Sequence, residues 1–173
     1  LAAAIERQLE GGELPGRSAA VRHVGVPPDQ GAAPQAAHLL YCLGLAPDPR
    51  VVHLWEKVVA LLSAASEEQL FDRKEALYYY VSAVCYGAER LAATSAVPVL
   101  KRLHRNPLFR GLMSTSGIQA DYLDERRAYL EQLIGRALAR CASPDGFLIL
   151  IDYLRDGRTL LAEHAHSELV SIT

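Results

Sequence analysis

The chain has 173 residues, of which 50% are hydrophobic and 22% charged, with a formal net charge of -2 at pH 7. This length suits one domain with its own core or a few small repeating units, and the lack of a basic surplus disfavours nucleic acid as a partner. Apolar runs such as 147–151 are far shorter than the roughly 20 residues that cross a bilayer, so no membrane association is expected.

Residues 1–34 are predicted to form an N-terminal helix followed by a linker. Leu1 to Leu9 contains acidic and basic residues and lacks a cleavage site, so it is not read as a signal peptide and a cytoplasmic location is expected. Residues 11–34 are rich in Gly and Pro, which is typical of a loop. Because the chain begins at Leu1 rather than Met, we interpret it as part of a longer protein.

From Gln35 to Ile172, apolar residues recur every three or four positions, which predicts about seven helices. Asp48-Pro49 and Ser143-Pro144 each combine an N-cap with a proline in the first turn. The predicted ranges are 35–45, 48–65, 66–87 with a break near Phe71-Asp72, 96–105, 122–141, 143–157 and 158–172. A connection follows at 106–117, and its apolar residues Leu108, Phe109 and Leu112 are expected to pack on the core.

These helices repeat along the chain. Three times, a helix ends in a turn that bears Cys or Gly, and a capped helix follows. Superposing the second helices sets Arg50, Ala96 and Gly146 in register, and it aligns Leu54 with Leu100 and Leu150. Periods of about 20–50 residues are typical of stacked helical repeats, in which each pair buries its apolar face against the next.

The stretch from Arg73 to Leu103 resembles a HEAT repeat: a basic residue near the start, small apolar residues through the first helix, Gly87, then AVPVLKRL as the second helix. Residues 126–154 are similar, and 35–62 form a weaker copy. The resemblance implies an all-α fold, a HEAT-like α-solenoid of about three and a half helix-pair repeats over residues 35–173. The spacings exceed the usual repeat length of the family, and its interhelical Asp is clear only at Asp48 and Asp145. The resemblance implies a surface for binding macromolecules and no chemistry.

Motifs for catalysis are missing from the sequence. There is no GxGxxG, no GxxxxGK and no GxSxG, so we predict neither catalytic residues nor a cofactor. The three cysteines, Cys42, Cys85 and Cys141, are odd in number and show no CxxC spacing, which argues against a disulfide framework or a zinc site. Each lies near the end of a first helix, where a small apolar side chain suits close packing.

The densest group of metal-ligand residue types is the segment that holds His164, His166 and Glu168. His164 and Glu168 are four residues apart on a predicted helix, so they share one face and could offer two ligands to a metal. His166 points away from His164 on the same helix. Metal-dependent HEAT enzymes carry repeated His-Glu dipeptides, and none occurs here. We therefore predict no metal and a His packed against the preceding helix pair.

Basic residues form two groups, which a HEAT-like DNA glycosylase would place on its concave face. Acidic residues flank the second group, so we favour ion pairing between repeats over nucleic-acid binding. The basic residues are Lys101, Arg102, His104, Arg105 and Arg110 in one group, and Arg126, Arg127, Arg136 and Arg140 in the other; the acidic ones are Asp121, Asp124, Glu125 and Glu131. Separately, the consecutive Tyr78, Tyr79 and Tyr80 must place at least one ring at the surface or an interface, because helical residues point about 100° apart.

The repeat register places Glu56, Arg102 and Asp152 at one position of successive second helices, so they should form a row of alternating charge, extended by Arg105 and Arg155. Second helices line the inner face of a solenoid, its usual binding side, although the row could equally be a salt ladder. The predicted function is a non-catalytic interaction or scaffold module whose partner is a protein or another domain of the same chain. Alternatives are an accessory domain of a multidomain enzyme, a HEAT-like DNA glycosylase and a cofactor lyase.

Overall fold

A computed structural model describes residues 1–17, 33–46, 48–72, 75–113 and 122–172. Helical turns make up 77% of this described part and no strand occurs in it, which confirms the predicted all-α class. Its α-helices are α1 (Ala2–Leu9), α2 (Gln35–Gly44), α3 (Val52–Ala64), α4 (Glu67–Phe71), α5 (Tyr78–Leu91), α6 (Val97–Arg105), α7 (Tyr122–Arg140), α8 (Pro144–Tyr153) and α9 (Thr159–Ile172). None of the described helices is both long and apolar enough to span a membrane.

Two helix starts follow the capping residues that the sequence offers, whereas Ser143, the predicted N-cap of α8, makes no side-chain capping hydrogen bond. Ser66 and Gln69 form a reciprocal capping box at the start of α4. Asp48 accepts a hydrogen bond from the Arg50 backbone N–H at 2.9 Å and caps a 3-10 turn at Pro49–Val51 that leads into α3. The predicted third helix is broken as expected, since α4 ends at Phe71 and α5 begins at Tyr78.

The chain divides into two compact units, Leu1–Arg90 and Leu91–Thr173. In the first, α1 packs on α2 and α3, so the N-terminal helix belongs to the same unit as the first predicted helix pair. Helices α2, α3 and α5 converge where glycine permits close approach. A Cβ on Gly44 would lie 2.8 Å from the Gly87 Cα, and a Cβ on Gly87 would lie 2.7 Å from Trp55 Cζ2. The indole of Trp55 is completely buried there.

In the second unit, α7 is the central helix and packs against α6, α8 and α9. Its crossing with α8 depends on two glycines. A Cβ on Gly146 would lie 2.3 Å from both the Ala139 N and the Gly135 carbonyl oxygen, which are backbone atoms that cannot swing aside. The backbones of α7 and α8 therefore touch, and the apolar side chains of both helices are buried on either side of the crossing.

Burial repeats along the second helices and refines the predicted register. The buried sets are Val51, Leu54, Trp55 and Val58 in the first helix, Ala96, Val99, Leu100 and Leu103 in the second, and Gly146, Ile149, Leu150 and Tyr153 in the third. The spacing between α6 and α8 is therefore the predicted one, but α3 is displaced by one residue from the predicted alignment. The 3-10 turns that begin at Pro49 and Thr94 show the same displacement of one residue. With α3 shifted in this way, the residue aligned with Arg102 is Lys57 and not Glu56.

A second repeated feature is an alanine with positive φ just after a first helix. Ala92 follows α5 with φ of 47°, and Ala142 follows α7 with φ of 63°. At Ala142 the chain forms a full Schellman motif, in which the Ser143 N–H donates to the Leu138 carbonyl at 2.9 Å and the Ala142 N–H to the Ala139 carbonyl at 3.0 Å. Glycine normally takes this site, because the Cβ of other residues disfavours the left-handed conformation. In this chain alanine occupies it.

Replacing Ala142 with glycine is therefore expected to stabilise the protein by about 0.5–1 kcal/mol. The substitution relieves the strain of the left-handed conformation, and the greater conformational entropy of glycine in the unfolded chain offsets part of that gain. Urea denaturation of Ala142→Gly measures it. The matched control is Ala162→Gly, on α9 of the same unit at a half-buried position in ordinary helical conformation, which should lose about 1 kcal/mol. Equal destabilisation by both substitutions would contradict the strain at Ala142.

Candidate interaction surface

The five residues predicted to form the binding row are all exposed to solvent. Glu56 lies on α3 in the first unit. Arg102 and Arg105 lie on α6, Asp152 on α8 and Arg155 two residues beyond its end, all in the second unit. Within the described ranges no ion pair joins Arg102 to Asp152, so the predicted ladder is not formed between these two helices.

Two other basic residues of the second unit are paired across helices, with acids other than those that the sequence singled out for pairing. Lys101 Nζ lies 2.7 Å from Asp145 Oδ2, which ties α6 to α8. Arg136 Nη1 donates to Glu168 Oε1 at 2.6 Å and ties α7 to α9. These ion pairs neutralise positive charges within the unit, whereas Arg102 is exposed to solvent.

A buried carboxylate, Glu131 on α7, organises one end of the second unit. Its Oε1 accepts from His104 Nε2 at 2.7 Å, and its Oε2 accepts from the Tyr153 hydroxyl at 2.8 Å and the Gly111 N–H at 2.6 Å. Arg110 Nε is 4.0 Å from Oε1. One side chain thus connects α6, α7, α8 and the segment that follows α6.

Burial alone would raise the pKa of the Glu131 carboxyl. The hydrogen bonds from His104, Tyr153 and Gly111 outweigh that effect and hold the pKa below its ordinary value, so the side chain is an anion. Burial, together with the charge of Glu131, raises the pKa of the Tyr153 phenol, which stays protonated as a donor. The cluster is arranged to hold a negative charge.

The segment 110–113 is fastened to this cluster by its backbone. Gly111 leaves no room for a side chain, since a Cβ there would lie 2.2 Å from the Tyr153 oxygen and 2.7 Å from the Ala128 Cα. The next residue, Leu112, accepts a hydrogen bond on its carbonyl from Arg158 Nη2 at 2.7 Å. Arg158 is itself buried and paired with the buried Asp156 at 2.6 Å.

The expectation that Leu112 packs on the core is wrong. Phe109 is fully buried as predicted and Leu108 is half-buried, but the Leu112 side chain is 68% exposed. The cause is the backbone clamp: with the Gly111 N–H and the Leu112 carbonyl both directed to buried partners, the intervening geometry points the leucine side chain to solvent.

A second polar cluster lies between α7 and α9. His164 hydrogen-bonds Gln132 through Nδ1 and lies 3.3 Å from Glu168 Oε1 through Nε2, so it packs against the preceding helix as predicted. The Gln132 amide also donates to the Leu161 carbonyl at 3.0 Å. Burial lowers the pKa of the His164 imidazole, Glu168 opposes that shift, and Arg136 adds to it. His166 is exposed, and the described ranges contain no cluster of three potential metal ligands.

In the first unit, polar side chains serve to fix neighbouring segments. The Tyr80 hydroxyl donates to the Pro15 carbonyl at 2.7 Å, and its ring is buried. Tyr78 and Tyr79 are half-buried and stack on each other with ring centroids 4.4 Å apart. His53 Nε2 lies 2.9 Å from Glu6 Oε1, and that hydrogen bond raises the pKa of the imidazole.

Sequence reasoning noted Glu131 only as one acid beside a basic group, and it passed over Tyr153 and Arg158. One signal was available: Glu131 and Gln132 stand between Leu130 and Leu133, where the helical stripe is apolar. A charged residue on such a stripe is buried only when it is paired. The hydrogen-bond partners of Glu131 are distant from it in the sequence and show no comparable signal. The cysteines follow their prediction as packing residues, with Cys85 and Cys141 buried and Cys42 half-buried.

No protein-family model, curated protein or solved structure matches this chain. The HEAT resemblance therefore remains a prediction from the sequence, and the exposed surface of the second unit is the basis for assigning a role.

Proposed function

We propose that the chain is a non-catalytic protein-interaction module, in which the helix pairs stack as a HEAT-like solenoid and the second helices face the partner. The partner is a protein or another domain of the same chain. The exposed polar residues of the second helices carry the contact: Glu56, Arg102, Arg105, Asp152 and Arg155, with Lys57 at the position equivalent to Arg102.

The observation that carries this proposal is the repeated exposure on α6 and α8. Arg102 aligns with Asp152 and Arg105 aligns with Arg155, and all four residues are exposed. The neighbouring positions are buried in both helices: Leu100 and Leu103 on α6, and Leu150 and Tyr153 on α8. Helix pairs that repeat both their buried and their exposed positions present one continuous polar face when they stack. Such a face is available to a partner because the helices' own packing uses the opposite side.

Binding is favoured over chemistry because the buried ionisable groups are occupied. Glu131 accepts three hydrogen bonds, and Asp156 and Arg158 pair with each other. Each group is held by structural partners, which leaves no nucleophile or base directed at an open site among them. The pairing of Lys101 and Arg136 with acids likewise favours a protein over nucleic acid as the partner.

Reversing the charge at Arg102 tests this proposal. We expect Arg102→Glu to weaken partner binding by roughly 1–3 kcal/mol, because a desolvated charge loses its mate, and to change stability by about 0–1 kcal/mol, because the side chain is exposed. A partner identified by affinity capture would be purified and titrated against both proteins by calorimetry. The matched control is Arg7→Glu, which reverses an exposed arginine on α1.

The two substitutions separate binding from folding. Loss of affinity in Arg102→Glu with unchanged thermal unfolding, together with full affinity in Arg7→Glu, supports the proposal. Unchanged affinity with a lowered melting temperature in Arg102→Glu would show that Arg102 contributes to stability and not to binding, and the stacked Tyr78 and Tyr79 would become the next surface to test.

A further inference from the structure

Segment 110–113 holds two apolar side chains in water on a rigid backbone. Leu112 is 68% and Met113 45% exposed, and Leu154 after α8 is 41% exposed. An exposed apolar loop is ordinarily free to move, but here the backbone on both sides of Leu112 is hydrogen-bonded to buried ionisable groups, Glu131 and Arg158. A segment held in this way loses little backbone conformational entropy on binding.

Three arginines lie on the segments that meet at Glu131. Arg105 follows His104, Arg110 precedes Gly111, and Arg155 lies two residues after Tyr153. Since His104, Gly111 and Tyr153 all hydrogen-bond one carboxylate, that of Glu131, the backbone segments that bear the three arginines meet at this carboxylate, and all three arginines are exposed. We call this the Leu112 surface: Leu112, Met113 and Leu154 with Arg105, Arg110 and Arg155.

The Leu112 surface is cationic although the chain as a whole has a net charge of -2. The acids close to it are engaged internally, since Glu131 already accepts three hydrogen bonds and Asp156 pairs with Arg158. Asp152 on α8 is the exposed acid nearest in sequence to Leu154. The charges of Arg105 and Arg155 are left for a ligand, and Arg110, whose Nε lies 4.0 Å from Glu131 Oε1, adds a third guanidinium that is 62% exposed.

We propose that the Leu112 surface docks an acidic, amphipathic peptide segment of a protein partner. Its carboxylates would pair with the arginines, and a large apolar side chain would cover Leu112 and Met113. This inference rests on the proposed function and names the partner class for the end of that face where Arg105 and Arg155 lie. Every cation in the surface is arginine, whose planar fork binds carboxylates in a bidentate manner.

Two other anionic ligands fit the surface less well. Single-stranded nucleic acid is bound by aromatic side chains on which bases stack, and the Leu112 surface has none. Anionic membranes are recognised by clusters of about 4–8 basic residues beside a larger apolar helix face, and this surface offers three arginines and three apolar side chains. The mixture of apolar and cationic groups matches an acidic peptide that also carries leucine, phenylalanine or tryptophan.

The test is selection from a phage-displayed library of random peptides of about 16 residues against the whole chain, followed by calorimetry with the enriched peptides. We expect enriched peptides to be net acidic and to contain large apolar residues. Affinity should fall about 10-fold or more in Leu112→Ser and in Arg155→Glu, the latter chosen in preference to Arg110 because Arg110 Nε lies 4.0 Å from the buried Glu131 carboxylate. Matched controls are Leu45→Ser and Arg7→Glu, which alter an exposed leucine and an exposed arginine of the first unit.

Other outcomes overturn the inference. These are the absence of any enriched peptide, enrichment of neutral or basic peptides, or acidic peptides whose affinity is unchanged in both variants. Tighter binding to phosphatidylserine vesicles or to a single-stranded DNA oligonucleotide than to the enriched peptides would also overturn it. If the partner captured in the Arg102 experiment is lost in Arg102→Glu but retained in Leu112→Ser, the proposed function stands and the Leu112 surface is not its site.

Discussion

Glu131→Ala is expected to lower the free energy of unfolding by about 3–5 kcal/mol, the range for removing one partner from a buried charged cluster. The substitution leaves the Tyr153 hydroxyl, the Gly111 N–H and the His104 ring without the acceptor that they share. It also opens a cavity where the glutamate stem was packed. Because this residue joins α6, α7 and α8, the loss affects the whole second unit and not one helix end.

Urea denaturation monitored by circular dichroism measures this effect. The matched control is Glu163→Ala on α9, an exposed glutamate whose loss should change stability by less than about 0.5 kcal/mol. Tyr153→Phe supplies a graded variant, because it removes one of the three hydrogen bonds and should cost about 1–3 kcal/mol. Glu131→Ala that unfolds at the same urea concentration as Glu163→Ala would show that the cluster is not formed in solution.

The same carboxylate predicts a pH dependence. The pKa of Glu131 is lower in the folded chain than its ordinary value of 4.5, so its contribution to stability is present above that value and is lost as pH falls through the folded pKa. The difference in unfolding free energy between the wild type and Glu131→Gln should therefore be constant near neutral pH and shrink under acid conditions. A difference that grows on acidification would give the pKa shift the opposite sign.

Trp55→Ala is expected to cost about 3–5 kcal/mol, since the largest side chain in the first unit is replaced by a methyl group. The indole fills the space that glycine leaves at Gly87, so no neighbouring side chain can take its place without moving α5. The protein should unfold at a much lower urea concentration. An unchanged midpoint would place Trp55 at the surface.

Two further variants separate the contributions at Trp55. Trp55→Phe keeps most of the buried area and removes an indole N–H that has no hydrogen-bond partner among the described residues, so it should cost less than Trp55→Ala, about 1–2 kcal/mol. Gly87→Ala should cost about 1–3 kcal/mol in the wild type because its Cβ would meet Trp55 Cζ2, and it should be neutral or stabilising in Trp55→Ala. Additive losses in the double variant would show that the two residues do not touch.

Much of the secondary structure was determined by the sequence itself, because the signals are local. Asp48 and Ser66 cap the segments that they were expected to start, since a short polar side chain reaches the N–H groups of the next few residues. The period of buried residues on α6 and α8 also followed from the sequence. The one-residue displacement of α3 did not, because several apolar residues there fit either register and only packing distinguishes them.

The proposed binding surface depended in part on tertiary structure. Exposure of Arg102, Arg105, Asp152 and Arg155 followed from helical periodicity, and the sequence alone predicted it. The outward position of Leu112 did not follow, since an apolar residue in a connection is expected to be buried. It is exposed because Glu131 and Arg158, distant in sequence, fix the backbone on either side of it. Hydrogen bonds between such residues form only when α6, α7 and α8 pack together. Local sequence patterns do not predict them, because the partners are distant in the sequence.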